Sequence, residues 1–170
     1  MTKEIITDPT TDTVELSELL GTSELESVKS EPNEPKPTRI INISLDSLEP
    51  TPCNIDVILY AHLNIDSMST KALDIFLNVF SEECNNNAEF SEFGQEMIFK
   101  VFSKYPKELA ELIAKNNYNM EALIGELEAP LLDPEIEPII ADFRSTGIKN
   151  GKIDRVIAAL GRAHRYLSGE

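Results

Sequence analysis

The sequence predicts an all-α fold, a compact bundle of about six to seven short helices behind a disordered acidic N-terminal arm. Three observations carry that expectation. From Cys53 onward, apolar residues recur at the i, i+3, i+4, i+7 spacing in one short segment after another. Asn, Ser or Pro opens most of these segments, and Asn or Gly pairs close several of them. Residues 1–52 have the opposite character, with six of the ten prolines and no aromatic residue. That stretch also carries eleven acidic and four basic residues. So polar a segment buries too little apolar surface to offset its ordering entropy.

Two segments interrupt the arm. In Thr13–Leu20, TVELSELL, the side chains of Leu16, Leu19 and Leu20 share one helical face, and Gly21 stops the turn. Two turns are too short to be stable alone. The LxxLL spacing suits a peptide that docks as a helix into an apolar groove, or else marks a nascent, solvated helix. Arg39–Leu45, RIINISL, is rich in β-branched residues, Ile41 and Ile43 among them. It reads as a short strand laid on the domain's own helices, or as an edge strand added to a partner's sheet. Between the two, Glu31–Pro37 reads as an extended spacer. The domain is expected over residues 53–168.

Ile55–Leu63 is a short apolar helix behind Asn54. In Lys71–Phe80, KALDIFLNVF, apolar side chains cover about 200° of the helical circumference. So wide an arc implies a central helix with several neighbours. Ser67 or Ser69 would cap it, and Asn85–Asn87 would follow as a polar loop. Ser91–Tyr105 has a stripe of Phe90, Phe93, Met97, Ile98, Val101, Phe102 and Tyr105. Phe99 points away from that stripe, as an exposed contact or toward a second layer of helices. Pro106 opens the next helix, which buries Leu109, Leu112 and Ile113 and stops at Asn116-Asn117. Asn119 caps a short one carrying Met120, Leu123, Ile124 and Leu127. Asp133-Pro134 reads as N-cap and first-turn proline for Glu135–Arg144, with Ile136, Ile139, Ile140 and Phe143 inward. After a turn at Gly147 and Asn150-Gly151, Lys152–Ser168 buries Ile153, Val156, Ile157, Leu160 and Leu167.

Charge is the most informative functional feature. The chain carries a formal −15. That balance disfavours whole-surface affinity for nucleic acid or anionic membrane and steers the protein toward a basic partner surface. Residues 143–170 run against it, with six basic and two acidic residues. On the last helix Lys152, Arg155, Arg162 and Arg165 fall within about 140° of arc, opposite the apolar face. Such a face suits phosphates or an acidic partner; equally it suits neighbouring carboxylates and the helix macrodipole. With the preceding helix and turn it resembles a helix-turn-helix in outline. Gly147–Lys152 is no phosphate loop, because it lacks the spacing, the following Ser or Thr and the preceding strand.

No cofactor or metal motif is present, and nothing points to an enzyme. His62 and His164 lie far apart in sequence, and pairs such as Glu82/Glu83 and Asp133/Glu135 are explained by loop and cap roles. Cys53 and Cys84 are too few for a disulfide framework and read as buried free thiols in a reducing compartment. The N-terminus has no apolar leader and no run long enough to span a membrane, so a cytoplasmic protein is expected. Frequent Asn, Ile, Lys and Glu suit an AT-rich coding genome, such as that of a phage. The first functional expectation is a non-enzymatic interaction module: an adaptor, assembly chaperone or inhibitor within a larger complex. The alternative is a nucleic-acid-associated factor, which either binds phosphates through the last helix or mimics nucleic acid with its acidic surface.

Overall fold

The computed structural model describes residues 43–169. They form seven α-helices and two 3₁₀ turns, with no strand among the described residues. The helices are α1 (Ile55–Leu63), α2 (Thr70–Asn78), α3 (Ala88–Lys104), α4 (Pro106–Lys115), α5 (Met120–Glu128), α6 (Ile136–Ser145) and α7 (Gly151–Ser168). Five of them start on a side-chain cap. Asn54, Ser69, Asn87, Asn119 and Asn150 each accept a hydrogen bond from an otherwise orphaned backbone N–H of the first turn. The helix α4 opens on Pro106, whose missing N–H costs nothing there. The far end of α7 closes on Gly169, whose φ of 72° puts it in the left-handed region that glycine tolerates.

The bundle centres on α3, which packs against α1, α4, α5 and α6, together with α4, which packs against α2, α3, α6 and α7. The wide apolar arc of Lys71–Phe80 is buried as expected, with Ala72, Leu73, Ile75, Phe76 and Leu77 of α2 and Val79 and Phe80 just beyond it all inside. Its cover comes from α1 and α4 and from the start of α3, where the Phe80 and Phe90 rings meet edge to face at 5.8 Å. The centre of the bundle therefore lies in α3 and α4 and not, as the breadth of the arc implied, in α2. A second aromatic pair, Phe102 of α3 stacked on Phe143 of α6 at 5.3 Å, joins the two halves of the core.

The helices α5 and α7 run parallel, with α6 as the crossover between them. Arg155 bonds Glu121, and Arg162 bonds Glu128, at the same offset of 34 residues. A constant offset holds only when both helices run the same way. The buried Ala159 and Ala163 keep α7 thin on its inner face, where it meets α4, α5 and α6.

Several sequence expectations need correction. Cys53 and Cys84 are not free thiols; they form a disulfide, with Cα atoms 5.3 Å apart. Sequence spacing is silent on such a pairing, because folding brings together the segment before α1 and the turn after α2. Phe93, read as core, is 48% exposed, whereas Phe99 is only 6% exposed. The buried arc of α3 runs from Phe90 and Met97 through Ile98 and Phe102 to Phe99 and leaves Phe93 outside it. The helix α2 stops at Asn78, a 3₁₀ turn fills Glu82–Asn86, and α3 begins at Ala88 with Asn87 as its cap. Asp133 caps nothing: α6 begins at Ile136 after Glu135, with no side-chain cap bond. The expected strand does not reach residues 43–45, where Ser44 instead caps a 3₁₀ turn at Leu45–Ser47. Residues 43–52, assigned to the arm by composition, lie on the domain. Leu48 is buried, Asp46 pairs with Lys71 at 3.0 Å, and the Cys53 N–H donates to Val79 O. The rest of the arm, with Leu16, Leu19, Leu20 and Ile41, lies outside the described residues.

Candidate docking groove

One flank of α3 is left open between the α1–α2 connection, α6 and the segment that leads into α6. Gln95 and Phe99 lie about 140° and 180° around the helix from Phe90, on the far edge of the buried arc. Beside them is a groove of 460 Å³, floored by Phe99, Ile65 and Ile139 and rimmed by Leu131 and Leu132. Those two leucines are 64% and 58% exposed. Pro130 and Pro134 flank the pair, restricting the backbone around them and keeping it out of a helix.

Two side chains of α3 and its C-terminus hold the rims. The Gln95 amide reaches the segment after α5, where Nε2 donates to Ala129 O at 2.6 Å and Oε1 accepts from the Leu131 N–H. At the other end, Tyr105 Oη donates to Ile65 O at 2.8 Å and accepts from the Met68 N–H at 3.0 Å. Each clamp satisfies backbone groups that no helix supplies with partners, and so fixes a loop that would otherwise rest on water. The groove is shaped before any ligand arrives.

Its polar edge carries both signs. Lys100 pairs with Glu96 within α3, and Lys104 pairs with Asp66 at 2.8 Å, which raises the lysine's pKa through the hydrogen bond and the charge of Asp66. Asp133 and Glu135 line the opposite end. Next to the groove, burial raises the Glu126 carboxyl above its ordinary range, with the Gln95 amide opposing the shift. The groove thus combines an apolar floor with a few charges of both signs at its edge. Among the described residues no group of three or more His, Cys, Asp or Glu side chains converges to hold a metal ion.

The cationic residues of α7 sit elsewhere, and Lys152, Arg155 and Arg162 are already engaged. Lys152 Nζ donates to Asn116 O at 2.6 Å and to Asn117 Oδ1 at 3.1 Å, closing the C-terminus of α4. Arg155 bonds Glu121 at 2.7 Å, and Arg162 bonds Glu128. Arg165 is exposed on the same helix, and His164 lies 3.4 Å from Glu137. A phosphate at Arg155 or Arg162 would have to displace a carboxylate.

Of the residues singled out for partner binding, Phe99 lines the groove from within, and Ile43 is half-buried against the core. The sequence reading missed Gln95, Ile65, Leu131 and Leu132. The adjacent leucines between two prolines were the available signal, since an apolar pair outside any helix has no helical face to bury it. No family model, no curated protein and no solved structure matches this chain, so its fold and groove stand on their own geometry.

Proposed function

We propose that the chain is a non-enzymatic protein-interaction module, an adaptor, assembly chaperone or inhibitor within a larger complex. Its helical domain would receive an apolar helical segment of a protein partner in the groove beside α3. The observation that carries this reading is the exposed Leu131–Leu132 pair on a groove already shaped by Gln95 and Tyr105. Ordering that loop beforehand lowers the entropic cost of docking. The acidic surface of residues 53–142, with seventeen carboxylates and five basic groups, favours encounter with a basic partner surface.

The test is capture from a lysate of the native host by the full chain and by a Leu131→Asp/Leu132→Asp variant. Both positions are exposed, so the variant should keep its helical circular dichroism. A protein held by the first and lost by the second is the expected result. Equal capture by both would overturn the groove as the docking surface. Co-purifying nucleic acid that is released by salt would favour the nucleic-acid reading instead.

A further inference from the structure

We infer that the groove beside α3 continues past Asp133 and Glu135 into an acidic hollow, and that the two together receive a partner's amphipathic helix with lysine or arginine at one end of its apolar ridge. The inference rests on the groove being the docking surface and adds the chemistry of its occupant. Three observations point to it. The first is continuity. Asp133, Pro134 and Glu135 line the groove on one side and, on the other, a hollow of 620 Å³ between the start of α6 and the end of α7. Glu137, His164 and Leu167 line that hollow further along. The surface is thus apolar along α3 and acidic at the start of α6.

The second is which charges stand unopposed. Each lysine at the α3 edge already has a carboxylate, Lys100 with Glu96 and Lys104 with Asp66. Among the described residues Asp133 and Glu135 form no ion pair, and neither caps α6 through its side chain. Both are exposed. Glu137 lies 3.4 Å from His164, and Arg162 is committed to Glu128. The N-terminus of α6 behind the two carboxylates offsets them by only about half an elementary charge, so the balance at this end stays negative. At physiological salt the rest of the acidic surface is screened beyond about 8 Å, so these neighbours decide the sign.

The third is the match of pattern to shape. Ile65, Phe99 and Ile139 floor the trough, and Leu131 and Leu132 stand exposed on its rim. Apolar side chains at i, i+3, i+4 and i+7 of a docked helix form a ridge about 11 Å long that can lie along such a trough. A lysine or arginine just beyond that ridge lays its stem on apolar surface while its charged head reaches the carboxylates. A glutamate in the same place would meet two unopposed carboxylates, so the acidic end also selects against an acidic helix.

The probes are two fluorescein-labelled helical peptides, read by fluorescence anisotropy. They share a ridge of leucines at i, i+3, i+4 and i+7 and differ at one end, which carries two lysines in one and two glutamates in the other. Each is titrated with the full chain, with Asp133→Asn/Glu135→Gln, and with Leu131→Gln/Leu132→Gln, which leaves the net charge unaltered. All four positions are exposed, and circular dichroism checks that both variants stay helical. The full chain should bind the lysine peptide about fivefold tighter than the glutamate peptide, as two exposed ion pairs imply. Asp133→Asn/Glu135→Gln should remove most of that difference, and Leu131→Gln/Leu132→Gln should abolish binding of both peptides. Equal binding of the two peptides, lost in the leucine variant, would refute the basic occupant while leaving the groove reading intact. A lysine preference that survives Asp133→Asn/Glu135→Gln would trace to the chain's overall charge and overturn the acidic end as part of the site. Lysine-peptide binding that survives the leucine variant, or no binding at millimolar peptide, would overturn the inference and count against the groove as well.

Discussion

Reducing the Cys53–Cys84 disulfide should remove a large share of the domain's stability. The bond closes a loop of 31 residues that contains α1 and α2. In the chain-entropy account, opening a loop of that length returns about 12 cal/mol/K to the unfolded chain, or about 3.7 kcal/mol at 25 °C. Native-state effects should lower this somewhat. Cys84 stays buried, and its Sγ lies 3.6 Å from Val79 O, so a reduced thiol has an acceptor in place. Cys53 keeps its backbone bond to Val79 O. A net loss of about 2–4 kcal/mol is therefore expected, against the ~5–15 kcal/mol by which domains are stable. The assay is urea unfolding followed by circular dichroism, with and without a phosphine reductant, on the full chain and on Cys53→Ser. Intact mass reports whether the pair is oxidised. The unaltered chain should drop to the midpoint of the variant on reduction, while the variant should not respond. Two free thiols in the air-oxidised protein, or an unchanged midpoint on full reduction, would refute the reasoning. The same measurement on protein quenched directly from cells bears on location, because stable disulfides belong to oxidising compartments and are transient in a reducing cytosol. Among the described residues no helix is long and apolar enough to cross a membrane.

Two further outcomes follow from the groove's surroundings. Gln95→Leu removes both bonds to the segment after α5, at a cost of about 1–3 kcal/mol, and hydrogen exchange at residues 129–135 should quicken while the core stays protected; unchanged exchange there would show that the prolines alone hold the loop. Burial raises the Glu126 pKa, so the folded state holds that proton to higher pH than the unfolded chain does. This carboxyl's contribution is therefore present below the ordinary glutamate value of 4.5 and is lost as pH rises through the raised one. Glu126→Gln should raise the Tm at pH 7 and lose that advantage on acidification, and a gain independent of pH would refute the assignment.

The sequence by itself determined the fold class, the number of helices to within one, and most of their ends. These are local properties: Asn54, Ser69, Asn119 and Pro106 act on the first turn of their own helices, and 3.6-residue periodicity marks each buried stripe. What tertiary structure decided is which stripes meet. Phe93 and Phe99 differ in exposure because Phe99 meets Ile65, Leu131 and Ile139 around the groove, whereas Phe93 falls outside the buried arc of α3. The parallel run of α5 and α7 was faintly legible, since Glu121/Glu128 and Arg155/Arg162 share a seven-residue spacing. It became a statement about direction only once both pairs had formed. The disulfide and the groove were not legible, because each joins segments that the chain separates by at least 30 residues. Gln95 shows the reason. A polar residue on the edge of an apolar stripe looks like a solvated position, and only the returning backbone at Ala129 and Leu131 turns it into the clamp that shapes the site.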